Sequence, residues 1–497
     1  MLFADVVAAS ATVSATASRR AKIDALADLL RRLSPEEVEP VVAWLAGEPR
    51  QGRIGAGWRT LAAVEVAPAA APALTVAAVD TALTVIAGTS GAGSVQRRAA
   101  ELGQLFGAAT AAEQAFLRRL LTGELRQGAL EGVMVDAVAQ AADVQLDAVR
   151  RAFMLSGRLP ATASAALGHG TAALAAIGLE VGRPLRPMLA APADSLDAAL
   201  ADLGAEVSVE FKLDGARIQV HKDGSDVGVF TRSLRDITAA VPELVSWALA
   251  LPCRSVVLDG ESLAVTEDGR PRPFQESVSL AGVGIQRPNL FDCLHLDGED
   301  LIDAALTDRL EALSTVAAAD RIPGVRRPTP AAAAGVLADA LAGGHEGVMV
   351  KALGSAYAAG RRGKAWQKVK PVHTFDLVVL AAEWGYGRRT GMLSNIHLGA
   401  LDPESGQPVM VGKTFKGMTD ELLGWQTATF PGLSTGTDGH VVHLRPELVV
   451  EIALDGVQRS TRYPGGIALR FARVLRYRPD KSPTEADTLA ALGALLR

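Results

Sequence analysis

The feature that most limits how this chain can fold is a change of period near residue 182. Upstream of it, apolar residues return every three or four positions, as Ile23, Leu26, Leu30 and Leu33 do within Lys22–Leu33. Ser34-Pro35-Glu36-Glu37 offers an N-cap, a proline for the first helical position and a glutamate to close a capping box. Helix patterns follow near Ala111–Leu121 and Asp143–Met154, in an alanine-rich context that suits helices. Gly182-Arg183-Pro184-Leu185-Arg186-Pro187 then stops them, because closely spaced prolines cannot continue a helix. Downstream the residues alternate instead. Glu206–Phe211 reads as a strand, Leu213-Asp214-Gly215 as a tight turn and Arg217–His221 as the return strand, with another turn at Lys222-Asp223-Gly224. Strands and helices mix down to Pro371, and 375–480 is strand-rich with Gly/Pro turns. At 497 residues the chain is too long for one core. The expectation is a multidomain α+β protein: an all-α domain over 1–182, an α+β domain over 190–371 and an all-β barrel over 372–497.

Composition narrows the classes. Two cysteines, Cys253 and Cys293, cannot make a disulfide framework or a zinc ligand set, and they fit a reducing cytosol. Asp5 interrupts the apolar start and no basic segment precedes it, so no signal peptide is expected. No run reaches the ~18 apolar residues of a membrane span. The expected location is therefore cytoplasmic. The net charge of −5 is unevenly spread: 18 basic against 17 acidic residues in 1–190, 19 against 25 in 191–371, and 13 against 13 beyond. The acidic middle could hold metal-binding carboxylates or be merely an acidic surface, while near-neutral flanks leave room for a polyanion. The loops Arg50–Gly57 and Gly123–Gly128 set glycine beside arginine; they suit phosphate contacts or ordinary helix termination equally.

Glu210-Phe211-Lys212-Leu213-Asp214-Gly215-Ala216-Arg217 is the most informative stretch. A lysine at its ordinary pKa of ~10.4 is protonated and attacks nothing; neighbouring cations and partial burial can activate it. Alone, Lys212 reads as a surface hairpin lysine rather than a nucleophile. No Walker A sequence occurs, Gly385–Gly387 lacks a strand-to-helix context, and His295, His345 and His373 form no catalytic or zinc pattern.

Together with six segments downstream, the stretch resembles the Lys-x-Asp-Gly-x-Arg motif of the covalent nucleotidyltransferase superfamily. Phe230–Asp236, Leu258-Asp259-Gly260-Glu261, Phe291–Gly298, Glu346–Lys351, Trp366–Lys370 and Leu469–Lys481 come in the superfamily's order. Five letters alone would mislead, since Glu131–Val135 repeats Glu346–Val350 in a helical context with Asp136 in place of the lysine. Ala381–Gly391, the Arg183–Ala190 linker and the helical region narrow the resemblance to ATP-dependent DNA ligases with an N-terminal helical domain. Thr231 and Ala472 depart from that pattern only slightly.

The resemblance implies a helical DNA-binding domain, an α+β nucleotidyltransferase (ATP-grasp-like) domain and an OB-fold barrel. It implies ATP as substrate, with Mg²⁺ as metal and Mn²⁺ able to substitute. Lys212 would form a lysyl-AMP phosphoramide. Glu210 would accept from the adenine amino group and Phe291 stack on the ring, while Arg217 and Arg232 hold the ribose and phosphate region and Lys368 and Lys370 the α-phosphate. Glu261, also in the nucleotide site, and Glu346 would hold the metal; Arg470, Arg473 and Lys481 would close over ATP from the barrel. Read alone, Glu346 could instead be a solvated partner of Lys351, and Phe291 ordinary core. The implied partner is nicked duplex DNA encircled by a monomer at the nucleoid, in replication, repair or recombination, with no recruiting protein indicated. A capping-type or RNA-ligase enzyme, and a catalytically silent DNA-binding scaffold, are the competing readings.

Overall fold

The computed structural model describes all residues except 53, 126–129, 266–284, 359–361, 387–388 and 497. Arg53, the Arg126–Gly128 part of the second glycine-arginine loop, and Gly387-Arg388 thus lie outside the described residues.

Helices run from Phe3–Ala15 to Leu159–Ala175 with no strand of three or more described residues among them. At Pro35–Leu45, Ser34 is the N-cap and its backbone N–H donates to Glu37 Oε2 at 3.0 Å, so the capping box forms. The helix expected from Asp143 begins at Leu146, because Asp143 takes a left-handed φ of 52° and breaks the pattern. Apolar faces meet in one core around Phe3, Trp44, Phe106 and Phe116, all fully buried.

The middle region builds two sheets from β1 (Leu189–Pro192), β2 (Val207–Lys212), β3 (Ala216–Asp223), β4 (Asp226–Thr231), β5 (Ser255–Val265), β6 (Ile285–Leu296), β7 (Glu299–Asp300), β8 (Gly324–Arg326), β9 (Gly347–Ala352) and β10 (Arg362–Val369). One sheet has the order β1-β10-β9-β2-β8 and the other β4-β3-β5-β6-β7. This corrects one expectation. Arg217–His221 is not the return strand of a hairpin with Glu206–Phe211; the chain leaves one sheet at Lys212 and enters the other at Ala216. The crossing is tight. A Cβ on Gly215 would lie 2.5 Å from the Ser262 carbonyl oxygen on β5, so only glycine lets the backbones approach. Alternation and a turn signal specify strands, but not which strand each will pair with.

The C-terminal region holds β11 (His373–Trp384), β12 (Leu393–Leu401), β13 (Pro408–Thr414), β14 (Ser434–Asp438), β15 (Val441–Leu444), β16 (Val449–Leu454), β17 (Gly456–Arg459), β18 (Ile467–Arg470) and β19 (Arg473–Tyr477). The long β11 pairs with β12 along one edge and with β15 and then β16 along the other, which curves the sheet into the OB-fold arrangement. The helix Asp420–Thr429 packs Leu423 into its core.

Candidate active site

A cavity between the two middle sheets is lined by Met188, Glu210, Lys212, Arg217, Arg232, Glu261, Phe291, Lys351, Trp366 and Lys368, among others. Seven of the residues picked from sequence therefore meet on one wall system, although they span 210 to 368 in the chain. The register explains it. Lys212 ends β2 opposite Gly347, which places its side chain beside Glu346, and Arg217 lies opposite Glu261 across β3 and β5.

Lys212 Nζ is 2.5 Å from Glu346 Oε2, and the same oxygen is 2.8 Å from Lys370 Nζ. Burial pushes the Glu346 carboxyl up, but Lys212 and Lys370 outweigh it and hold the acid ionised below its usual range. Glu346 is thus not a solvated partner of Lys351. That lysine is 1% exposed and pairs with Glu210 at 2.6 Å. Glu210 Oε2 makes that pair, while Oε1 accepts from Ser208 Oγ at 2.8 Å.

Phe291 is half-buried, with Lys351 Nζ 4.5 Å and the Arg217 guanidinium 5.3 Å from its ring centroid. Arg217 is half-buried and held bidentate by Asp259, at 3.0 Å from Nε and 2.7 Å from Nη2. Burial works against its charge, yet Asp259 and other acidic neighbours keep it protonated. Among the described residues Glu261 has no ion-pair partner this close. Burial drives its carboxyl to about 7, only partly countered by Lys212 and Arg217.

The barrel reaches the site through Arg470. Its Nη1 donates to Asp214 Oδ2 at 2.8 Å and its Nη2 lies 3.7 Å from Glu346 Oε1. Asp455, a barrel residue that no sequence motif singled out, is 3.6 Å from Lys370. Arg473 and Lys481 do not line the cavity. Arg473 pairs with Ala453 on the barrel sheet, and Lys481 Nζ is 2.6 Å from Asp376 Oδ2 beside Arg478. Sequence reading also missed Tyr357, which is buried and donates to Asp259 Oδ2 at 2.6 Å; a lone tyrosine between two motifs carries no signal.

Glu261 and Glu346, both beside Lys212, are hard oxygen donors and fit a Mg²⁺ ion that keeps several waters. No group of three potential ligands occurs among the described residues. Among the described residues no helix is long and apolar enough to cross a membrane.

Three family models match in order: DNA ligase N terminus over 62–139, ATP dependent DNA ligase domain over 187–370 and ATP dependent DNA ligase C terminal region over 389–481. A probable DNA ligase of Rhodococcus jostii is 64% identical, with 100% of both chains covered. A probable DNA ligase of Saccharopolyspora erythraea is 63% identical over 99% of this chain and 97% of that one. The solved structure Pmar-Lig_PreS3 shares the fold, with a TM-score of 0.62 over 95% of this chain and 99% of its own at 17% identity. The chain belongs to the ATP-dependent DNA ligase family, enzymes that join DNA strands through an enzyme–adenylate.

Proposed function

We propose that the cavity performs the first chemical step of ligation and that the substrate is a nick in duplex DNA. The observation that carries this is the placement of Lys212 between Glu346 and the cavity holding Glu210, Phe291 and Lys368. Lys212 Nζ would attack the α-phosphorus of ATP, forming a P–N bond as the P–O bond to pyrophosphate breaks. The 5′-phosphate oxygen of the nick would take the AMP and free the lysine. The 3′-hydroxyl would then attack that phosphate, closing the strand and releasing AMP.

Each neighbour has a part in this reading. Glu210 would accept from the adenine amino group, which guanine, with a carbonyl at that position, does not offer. Phe291 would stack on the base. Arg217 and Arg232 would hold the ribose and phosphate region, and Lys368 and Lys370 would neutralise charge building on the α-phosphate. Glu261 and Glu346 would hold Mg²⁺, which when bound supplies positive charge to the phosphate oxygens. Arg470 already bridges from the barrel to Asp214, while Arg473 and Lys481 would have to be brought over ATP by further movement of the barrel. We also infer a division at 1–182, 190–371 and 372–497, a monomer that encircles DNA, and a place at the nucleoid of the cytoplasm.

Incubation with α-labelled ATP and Mg²⁺ tests the first step: an acid-labile AMP adduct should form and vanish in Lys212→Ala. No adduct from the wild-type chain would refute the reading. Comparing nicked DNA with nicked RNA tests the substrate, since faster sealing of RNA would overturn it. Chelation by EDTA should abolish adduct formation, and added Mn²⁺ should restore it.

A further inference from the structure

Behind the cavity wall, four residues close a ring of hydrogen bonds. The Tyr357 hydroxyl donates to Asp259 Oδ2 at 2.6 Å and accepts from the Met188 backbone N–H at 3.0 Å. Asp259, fully buried, accepts from Arg217 Nε and Nη2. Arg217 Nη1 donates to the Met188 carbonyl at 2.7 Å, which completes the circuit. Met188 and Arg217 line the cavity, whereas Asp259 and Tyr357 stand behind it. Burial and the Asp259 carboxylate hold the phenol well above its ordinary pKa, so it stays a donor.

The ring ends a longer ladder. Arg217, Gln219 and His221 occupy alternate positions of β3 and so share a face. Gln219 accepts from Leu185 N at 3.1 Å and donates to Leu185 O at 2.5 Å, and His221 Nδ1 accepts from Gly182 N at 3.1 Å. The linker from the helical domain is therefore gripped at Gly182, Leu185 and Met188, ending at the cavity. Met154 and Leu155 of the helical domain pack into the same cluster as Met188, Tyr357 and Trp366.

We propose that Tyr357 is a positioning residue for enzyme adenylation: its hydroxyl fixes Arg217 and the Met188 edge of the cavity in the geometry that binds ATP. This rests on the cavity being the ATP site. Without the hydroxyl, Met188 N–H is left buried and unpaired, and ATP must order the wall that the ring holds ready. Tyr357→Phe keeps the packing and removes only the hydroxyl. In adduct formation its KM for ATP should rise about fivefold to thirtyfold, with kcat at saturating ATP within about twofold of wild type. Sealing at saturating pre-adenylated nick should be unchanged. An unchanged KM would overturn the proposal, as would a parallel fall in kcat and thermal midpoint, which marks a merely structural role. Direct titration of ATP against Lys212→Ala, with and without Tyr357→Phe, should show Kd rising by the same factor, and an unchanged Kd would overturn the proposal. Failure of the wild-type chain to form any adduct would instead refute the ATP reading itself.

Discussion

Arg309→Met removes the cation from an ion pair whose two side chains are both 0% exposed. Arg309 Nε and Nη2 donate to Asp292 at 2.7 and 3.1 Å, and Nη1 donates to the carbonyls of Ala304 and Ser355 at 2.7 and 2.8 Å. Methionine keeps much of the aliphatic volume, so the packing loss is small. Stranding a buried partner in this way costs about 3–5 kcal/mol. The cost should depend on pH. Even with Arg309 present, burial pushes the Asp292 carboxyl above its ordinary range; without it, protonation becomes easier still. The native state of the variant then binds a proton more tightly than the unfolded chain does, so its stability falls as pH rises. The penalty is smallest near the unfolded pKa of ~3.9 and full only above the raised native value. Because each region has its own main core, the measurement belongs at β6. Hydrogen exchange of the β6 amides at pH 5 and pH 8, with rates corrected for intrinsic pH dependence, gives the local opening free energy. We expect a larger loss at pH 8 than at pH 5. A loss below about 1 kcal/mol, or the same loss at both pH values, would refute the account of the pair. Phe291 precedes Asp292 on β6, so the KM for ATP in adduct formation should rise in the same variant.

Arg470→Ala removes the barrel's two hydrogen bonds to Asp214 and its approach to Glu346. Enzyme adenylation should fall about tenfold or more, with sealing of pre-adenylated nicks far less affected; equal losses in both assays would contradict the assignment. Glu383 accepts from Lys413, His397 and Asn395 at 2.5, 2.9 and 2.7 Å. Burial opposes its ionisation, but these donors win and lower its pKa to about 2 from 4.5. Its contribution is therefore present above the ordinary value and lost as pH falls toward 2, so Glu383→Gln should flatten acid unfolding of the barrel over that window, measured by circular dichroism.

Much of this was legible in the chain itself. The switch from a helical to an alternating period marks where helices end and sheets begin, because burying one face imposes that period on each element. The order of short motifs named the family, and Lys212, Arg217, Glu261, Phe291 and Lys368 do line one cavity. Partnerships were not legible. Strand pairing depends on residues far apart in sequence, so Lys212 and Arg217, five positions apart, stand in different sheets rather than in one hairpin. The same long-range packing gives Glu346 to Lys212 and Lys370, gives Lys351 to Glu210, and draws Tyr357 to Asp259. It also leaves Lys481 on Asp376, away from the cavity. Residue type alone determined which chemistry this chain could carry, since a lysine can become a nucleophile and an arginine cannot. Only the tertiary structure decided which charges face each other, because burial and distance, not sequence neighbours, set the energy of every buried ion pair.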